Sequence, residues 1–484
     1  MKLKIQNLKI IKRNPKSKQI IAAVIIVLLL YLIILNLKCR PIISGDTLVK
    51  LQSGILERRE DITEFNVPEG IKYIGAFAFY GCTSLENVTL PDTVKSIRWE
   101  AFCNCINLEE IVLPDSLEVI ENGAFLNCES IKKIKLPQKL TIIEDNTFSD
   151  CTSLESIDFP QNLDEIGVSA FSNCESLKEV DLPDNISNIE YKAFQGCTNL
   201  EKVKLSKDIK SISEGIFEDT AFIDKIKADE NGCIYWENVL LKSLPLKEHV
   251  EIKENTRVIA GGAFEDNKII KKISLPEGIV GIGEATFRGC ENLETINLPS
   301  SIERIGMGSF EDTKYLNNIS VDEYGCKYVG SLLLTYIDKG VDKIKVKDGT
   351  KLIAGNAFYN AENIKEVYIP KSVQYIGDQA FCRCYNIEKV EFEKDSKLES
   401  IENYMFFGSS LRVINLPHSL KKISRHAFGI CNNLETIIIP ENVEYIEVWT
   451  FIECLSLKRI ELPKSLEGKY YWISDRPKPE FVFY

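Results

Sequence analysis

Phenylalanine recurs every 23 residues along most of this chain, and that beat restricts the fold more than any other feature. Phe79, Phe102, Phe125, Phe148, Phe171, Phe194 and Phe217 keep the interval without a break. It resumes at Phe264, Phe287 and Phe310, again at Phe358 and Phe381, and continues with small slips at Phe406, Phe428 and Phe451. A fixed period in this range marks a solenoid, in which each repeat is one coil that must stack on its neighbours to bury its apolar side.

The coil from Leu85 to Asn107 shows what returns with the beat: Leu85, Val88, Leu90, Pro91, Val94, Ile97, Ala101, Phe102 and Cys105. Val88 and Leu90 alternate as a short strand does when one of its faces looks into a core. Pro91 ends that strand, because it cannot donate to a ladder and presets a turn. Val94, Ile97 and Phe102 then lie on the return path. The fifteen phenylalanines are the expected structural anchors, each contributing roughly 2 to 3 kcal/mol when buried.

Residues 1–19 carry seven Lys or Arg and no acid, and Ile20 to Leu37 follows with fourteen Ile, Val or Leu among eighteen residues. As a helix that stretch is about 27 Å long, enough for a bilayer core of about 30 Å. The excess of positive charge on its N-terminal side predicts a signal anchor with the N-terminus in the cytoplasm and the repeats outside. Residues 38–61 read as a linker and N-terminal cap, and the solenoid as residues 62–466.

The beat is interrupted twice. Phe217 and Phe264 are 47 residues apart and Phe310 and Phe358 are 48, so one anchor is missing from each gap. The two gaps resemble each other, with Asp229-Glu-Asn-Gly-Cys233-Ile-Tyr235 in one and Asp322-Glu-Tyr-Gly-Cys326-Lys-Tyr328 in the other. Modified coils with a protruding hairpin are therefore expected near 218–260 and 311–354. Beyond Leu466 the pattern stops, and Tyr470, Tyr471, Trp472, Phe481, Phe483 and Tyr484 give residues 467–484 the composition of a C-terminal cap.

Charge and cysteine narrow the chemistry. Residues 1–40 hold nine of the 59 Lys and Arg and none of the 71 Asp and Glu, so the remainder has a net charge of −21. That excludes nucleic acid as the expected partner. Ten of the fifteen cysteines, Cys105 among them, occupy one repeat position, as a column of buried free thiols would. The three histidines, His249, His418 and His426, fall at unrelated repeat positions, and no catalytic, cofactor or metal set stands outside the pattern. Gly278-Ile-Val-Gly281-Ile-Gly283 imitates a phosphate loop but matches the repeat turn Gly70-Ile-Lys-Tyr-Ile-Gly75.

The outward positions of the strands are the expected binding face. In the column of Thr89 these include Lys135, Asp158, Asp181, Lys204, Asn297, Tyr368, Glu391, Asn415, Ile438 and Glu461. They are chemically mixed, so a merely solvated sheet face and a protein-binding face both fit them.

The pattern Leu85-x-x-Val88-x-Leu90-Pro91-x-x-Val94-x-x-Ile97-x-x-x-Ala101-Phe102-x-x-Cys105 resembles the BspA-like class of leucine-rich repeats. The resemblance implies a repeat solenoid of the α/β type, mainly β, right-handed and curved, with a parallel concave sheet. It also implies display on microbial surfaces and non-catalytic binding of a protein ligand or adhesion. An envelope scaffold for proteins of the same cell is the alternative, and an enzyme a remote one.

Overall fold

The computed structural model describes residues 40–52, 61–205, 209–467 and 479–484. They fall into two compact units: one runs up to Leu163 and adds Ser169–Val180 and Gly196–Leu200, the other comprises Asp164–Val168, Asp181–Gln195 and everything from Glu201 onward. The expected membrane span, residues 20–37, lies outside the described residues. Among those described, no helix is long and apolar enough to cross a bilayer.

Both units are mainly β, with parallel pairing from coil to coil, as a solenoid requires. The strand expected around Val88 is Asn87–Thr89, its middle side chain buried and its flanks exposed. It pairs in parallel with Glu110–Val112, Val88 opposite Ile111, and in the second unit Ile344 lies opposite Val367 in the same way. After most of these strands a proline carbonyl closes a turn, as where the Val94 N–H donates to Pro91 at 3.1 Å, while Lys253 and Lys347 take that place after His249–Glu251 and Lys343–Lys345.

On the return path Val94, Ile97 and Phe102 are buried, as expected. This path also carries a second ladder of two-residue strands: Ser96–Ile97 pairs with Tyr73–Ile74 on one side and Val119–Ile120 on the other. Two residues suffice because the strand is held between the proline turn before it and a sharp turn after it. That sharp turn places two residues of positive φ around every anchor phenylalanine, as Glu100 (49°) and Asn104 (61°) flank Phe102. Gly, Asn and Asp fill most of the second positions, since they tolerate this region best. The alternation aims every other N–H along the stack: those of Glu100, Phe102 and Asn104 donate to Asn122, Ala124 and Leu126 of the next coil at 3.1, 2.8 and 2.9 Å.

All fifteen anchor phenylalanines are buried. Their rings stack from coil to coil, with centroids 4.7 Å apart for Phe79 and Phe102, 5.3 Å for Phe102 and Phe125 and 5.7 Å for Phe381 and Phe406. These separations follow the spacing of neighbouring strands.

The cysteine column has its own bond. Cys105 donates its thiol to the Phe79 carbonyl at 3.2 Å, Cys128 to Phe102 at 3.2 Å, Cys290 to Phe264 at 3.0 Å and Cys454 to Phe428 at 3.0 Å. The thiol thus fills an apolar site and also gives a second donor to a carbonyl of the previous coil, which already accepts a backbone N–H of its own turn, as Phe79 does from Cys82 at 3.0 Å. The fourteen described cysteines are buried and free; Cys39 lies outside the described residues. Burial pushes the thiols of Cys151 and Cys290 up to about 12, so little thiolate forms at neutral pH. Iodoacetamide at pH 8 should leave these fourteen unmodified in the folded protein and label all of them in guanidinium, as read by intact mass. Rapid native labelling of Cys105 or Cys128 would contradict the arrangement.

Hairpins occupy both gaps in the beat. Cys233–Trp236 pairs antiparallel with Val239–Ser243, and Cys326–Val329 with Leu332–Tyr336, each with a register shift at the same place. A five-residue helix precedes each, Ala221–Lys225 capped by the Thr220 side chain and Lys314–Asn318 capped by that of Thr313. In the first gap Trp236 meets Phe217 edge-on at 5.1 Å and restores part of the missing aromatic bulk. The segment read as a linker and N-terminal cap contains a third such hairpin, Arg40–Ser44 with Thr47–Gln52. Its second strand joins Tyr73–Ile74 just as Val239–Ser243 joins Val258–Ile259.

Glycine is required beside these hairpins. The run from Gly278 to Gly283 is a turn only at Glu277 and Gly278, whereas Gly281–Ile282 is a strand. A Cβ on Gly281 would lie 1.9 Å from the Lys210 carbonyl oxygen, and one on Gly283 would lie 2.3 Å from the Gly261 nitrogen. Here the backbone of the coil before the hairpin crosses that of the coils after it, and the Gly261 N–H donates to Ile212 at 2.8 Å. The second hairpin repeats the crossing, with Gly355 donating to Ile305 at 3.0 Å.

At the C-terminal end Glu480–Phe483 adds a parallel strand to Arg459–Leu462, and Phe481 and Phe483 pack on the core. Tyr470, Tyr471 and Trp472 of the expected cap lie outside the described residues.

Candidate interaction surface

The strands equivalent to Asn87–Thr89, up to four residues long, and the positions in line with them present their outer residues to solvent. Lys135, Asp158, Asp181, Lys204, Asn297, Glu391, Asn415 and Ile438 are exposed, and Tyr368 and Glu461 are half-buried. Along the column Lys204 pairs with Asp181 at 2.9 Å, and around Tyr368 the chain builds a shallow groove of about 210 Å³. It is lined by Tyr324, Lys343, Ile344, Lys345, Glu366, Val367, Tyr368, Lys389 and Glu391.

Three neighbouring strands make that groove. Lys343–Lys345, Glu366–Ile369 and Lys389–Phe392 lie side by side, so Lys345, Tyr368 and Glu391 stand in one row and Lys343, Glu366 and Lys389 in another. The Lys345 ammonium lies 5.7 Å from the centre of the Tyr368 ring. Lys343 pairs with Glu366 at 3.1 Å and Lys389 with Glu391 at 2.8 Å. These pairs are exposed and contribute at most about 1 kcal/mol each, so a partner's charges can replace them at little cost. Tyr368 supplies what the rest of the face lacks, a rigid amphipathic ring of the kind that dominates protein interfaces.

The row of Lys343, Glu366 and Lys389 was missed by a reading that followed only the Thr89 column. Its signal is present in the sequence, because the residue on the other side of each buried Val or Ile projects from the same face of the strand.

The two-residue strands gather charge of another kind. In the second unit Glu165 and Glu447 are almost fully buried, and both pair with Lys422 at 2.8 Å. Burial opposes the charge on Lys422, yet Glu165, Glu447 and Glu402 outweigh it and hold the ammonium protonated well above its usual range. Burial also works against the Glu165 carboxylate, but Lys422, Arg425 and Arg304 outweigh that and hold its carboxyl below the usual range. Arg304 reaches the Asn188 side chain and lies over the Tyr375 ring at 5.3 Å. Burial, with the Glu402 and Glu165 charges, pushes Asp378 up to about 7. In the first unit burial does the same to Glu121, also to about 7, although it accepts from the Trp99 N–H at 2.9 Å.

His426 is part of an aromatic stack, 4.6 Å from the Tyr404 ring and 5.5 Å from that of Trp449, and burial pushes it down to about 4. His249 is exposed on the strand His249–Glu251. Among the described residues no three His, Cys, Asp or Glu side chains are grouped to hold a metal ion.

The sequence matches the BspA type leucine-rich repeat region, six copies long, over residues 50–174, 120–243, 238–364 and 351–472. No curated protein matches it. Similar solved structures include a leucine-rich repeat protein from Bacteroides ovatus, 23% identical over 90% of this chain and 88% of that one, with a TM-score of 0.37. A leucine-rich cell surface protein from Faecalibacterium prausnitzii is 25% identical over 69% of this chain and 79% of that one, with a TM-score of 0.32. A leucine-rich repeat protein from Eubacterium ventriosum is 18% identical over 88% and 90%, with a TM-score of 0.26. The matched region spans nearly all of the described residues. This chain belongs to the BspA-type leucine-rich repeat family.

Proposed function

We propose that this chain is a membrane-anchored surface protein that binds a protein partner through the outer face of the strands equivalent to Asn87–Thr89, without catalysis. The groove around Tyr368 carries this reading, since there an aromatic ring, an ammonium and exchangeable ion pairs converge on one exposed patch. The anchor is residues 20–37, with the basic residues 1–19 in the cytoplasm and the repeats outside. Adhesion to another cell or to matrix is the role that best fits a binding face carried outside the membrane.

Two measurements test the two halves of the proposal. Intact cells carrying a C-terminal tag should lose it to external protease while a cytoplasmic control survives; a protected tag on an accessible surface would reverse the topology. Surface and matrix proteins captured by the full chain should be lost when Tyr368→Ser is combined with Lys345→Ala, with affinity falling about tenfold or more. Undiminished capture would remove the groove from the binding face. If every partner captured came from the same envelope, a scaffold role would replace adhesion.

A further inference from the structure

The hairpins leave open a donor set that coils such as those of Phe102, Phe264 and Phe287 close. Around an anchor phenylalanine the N–H groups at positions −2, 0 and +2 point along the stack. Gly262, Phe264 and Asp266 donate to Glu284, Thr286 and Arg288 at 2.9, 2.9 and 2.8 Å, and Lys192 and Phe194 donate to Glu214 and Ile216 at 3.2 and 3.0 Å. At Phe217 the ladder stops. Among the described residues the N–H groups of Gly215, Phe217 and Asp219 have no acceptor, because the hairpin occupies the place of the next sharp turn. The same holds for Gly308, Phe310 and Asp312 ahead of the second hairpin.

Both interruptions are clefts. The first has a volume of about 400 Å³ and the second about 220 Å³. They are lined by corresponding residues: Gly215, Phe217, Ile223, Leu241 and Gly261 in one answer to Gly308, Phe310, Leu316, Leu334 and Gly355 in the other. The far wall is already sealed at its middle, where Ser243 donates to Ala263 at 2.7 Å and Tyr336 to Ala357 at 2.8 Å. The lining of the first cleft is also acidic, with Glu214, Glu218, Asp219 and Asp224 against Lys242, and Lys192 of the preceding coil reaches Glu218 at 3.7 Å.

We propose that these clefts, the larger above all, bind an extended basic peptide segment of a partner protein by continuing the interrupted ladder. Elsewhere in the stack the acceptors for the three N–H groups are carbonyls two residues apart, which is the period of an extended chain. A peptide laid in the cleft offers that spacing, as strands added to open edges do. Its alternate side chains meet Ile223, Ile234 and Leu241 on one side, and its cationic side chains meet the four carboxylates. This site is separate from the Tyr368 groove and does not rest on it.

The test uses the detergent-solubilised full chain and a fluorescent hexapeptide of alternating Lys and Val, followed by anisotropy. Binding is expected, with none for the Glu and Val counterpart. A Lys and Val depsipeptide, whose ester carbonyls are weaker acceptors, should bind about tenfold more weakly. Glu214→Gln with Glu218→Gln, and separately Leu241→Lys, should each weaken the amide peptide about tenfold, while Tyr368→Ser should leave it unchanged. Unaltered thermal unfolding would confirm that the variants fold. Equal binding of the amide and ester peptides, binding untouched by both cleft variants, or no binding at millimolar peptide would each overturn the proposal.

Discussion

Replacing Lys422 by methionine is expected to cost about 3 to 5 kcal/mol, seen as a lower urea midpoint with little change in slope. The side chain is only 22% exposed and lies between two carboxylates that are 6% and 1% exposed. Methionine fills its volume and removes the ammonium that pairs with both Glu165 and Glu447, leaving only the smaller influence of Arg425 on both and of Arg304 on Glu165. Converting both to glutamine in the same chain should restore most of the loss, because the penalty comes from unpaired buried charge rather than from packing. The pH dependence follows from the directions of the shifts. Glu165 titrates below its unfolded value, so its contribution is present above about pH 4.5 and lost as pH falls through the folded value. Lys422 titrates above its unfolded value, so its contribution is present below about pH 10.5 and lost as pH rises through the folded value. In the methionine variant the stranded carboxyls take up protons more readily, so its deficit should be larger at pH 8 than at pH 4.5. A deficit independent of pH would mean that the ion pairs contribute nothing.

Phe171→Ala should cost about 3 to 5 kcal/mol and lower the thermal midpoint by several degrees, whereas Asp158→Ala should barely move it. Phe171 is fully buried, stacked 5.5 Å from Phe148 and met edge-on by Phe159 at 5.8 Å. Neighbouring coils are locked to each other by hydrogen bonds, so the cavity cannot close by collapse. Asp158 projects outward from the strand Ser156–Asp158. Equal effects of the two substitutions would place the wrong residue in the core.

Much of this was legible before any coordinates. The phenylalanine beat, the proline stops and the single cysteine position each report a side chain in a repeated environment, and the twin Asp-x-x-Gly-Cys segments announced the hairpins. The ladder of two-residue strands was not legible, because Ser96–Ile97 is too short to show alternation. Nor was the bond from each thiol to a carbonyl one coil back, since a column of cysteines reads equally well as a column of small apolar residues. Lys422 and Glu165 are 257 residues apart, and a period of 23 describes contacts between adjacent coils only. Tyr368 stood out by its type, while its lysine and glutamate neighbours emerge only once three strands are set side by side.

The hairpins also bear on how such an array can change in length. Within a run of coils a change of length must be absorbed in a turn, as between Phe381, Phe406 and Phe428, because a residue inserted in a strand would turn its buried side chain outward. Two ordinary periods span 46 residues, yet the chain takes 47 and 48 across the two gaps and the next sheet begins in register. Each hairpin starts its sheet afresh, with its own edge strand and its own crossing glycines, so counting errors made upstream are not transmitted. These joints therefore behave as expansion joints: a gene could gain or lose a whole run of coils there while the surviving runs kept their cores.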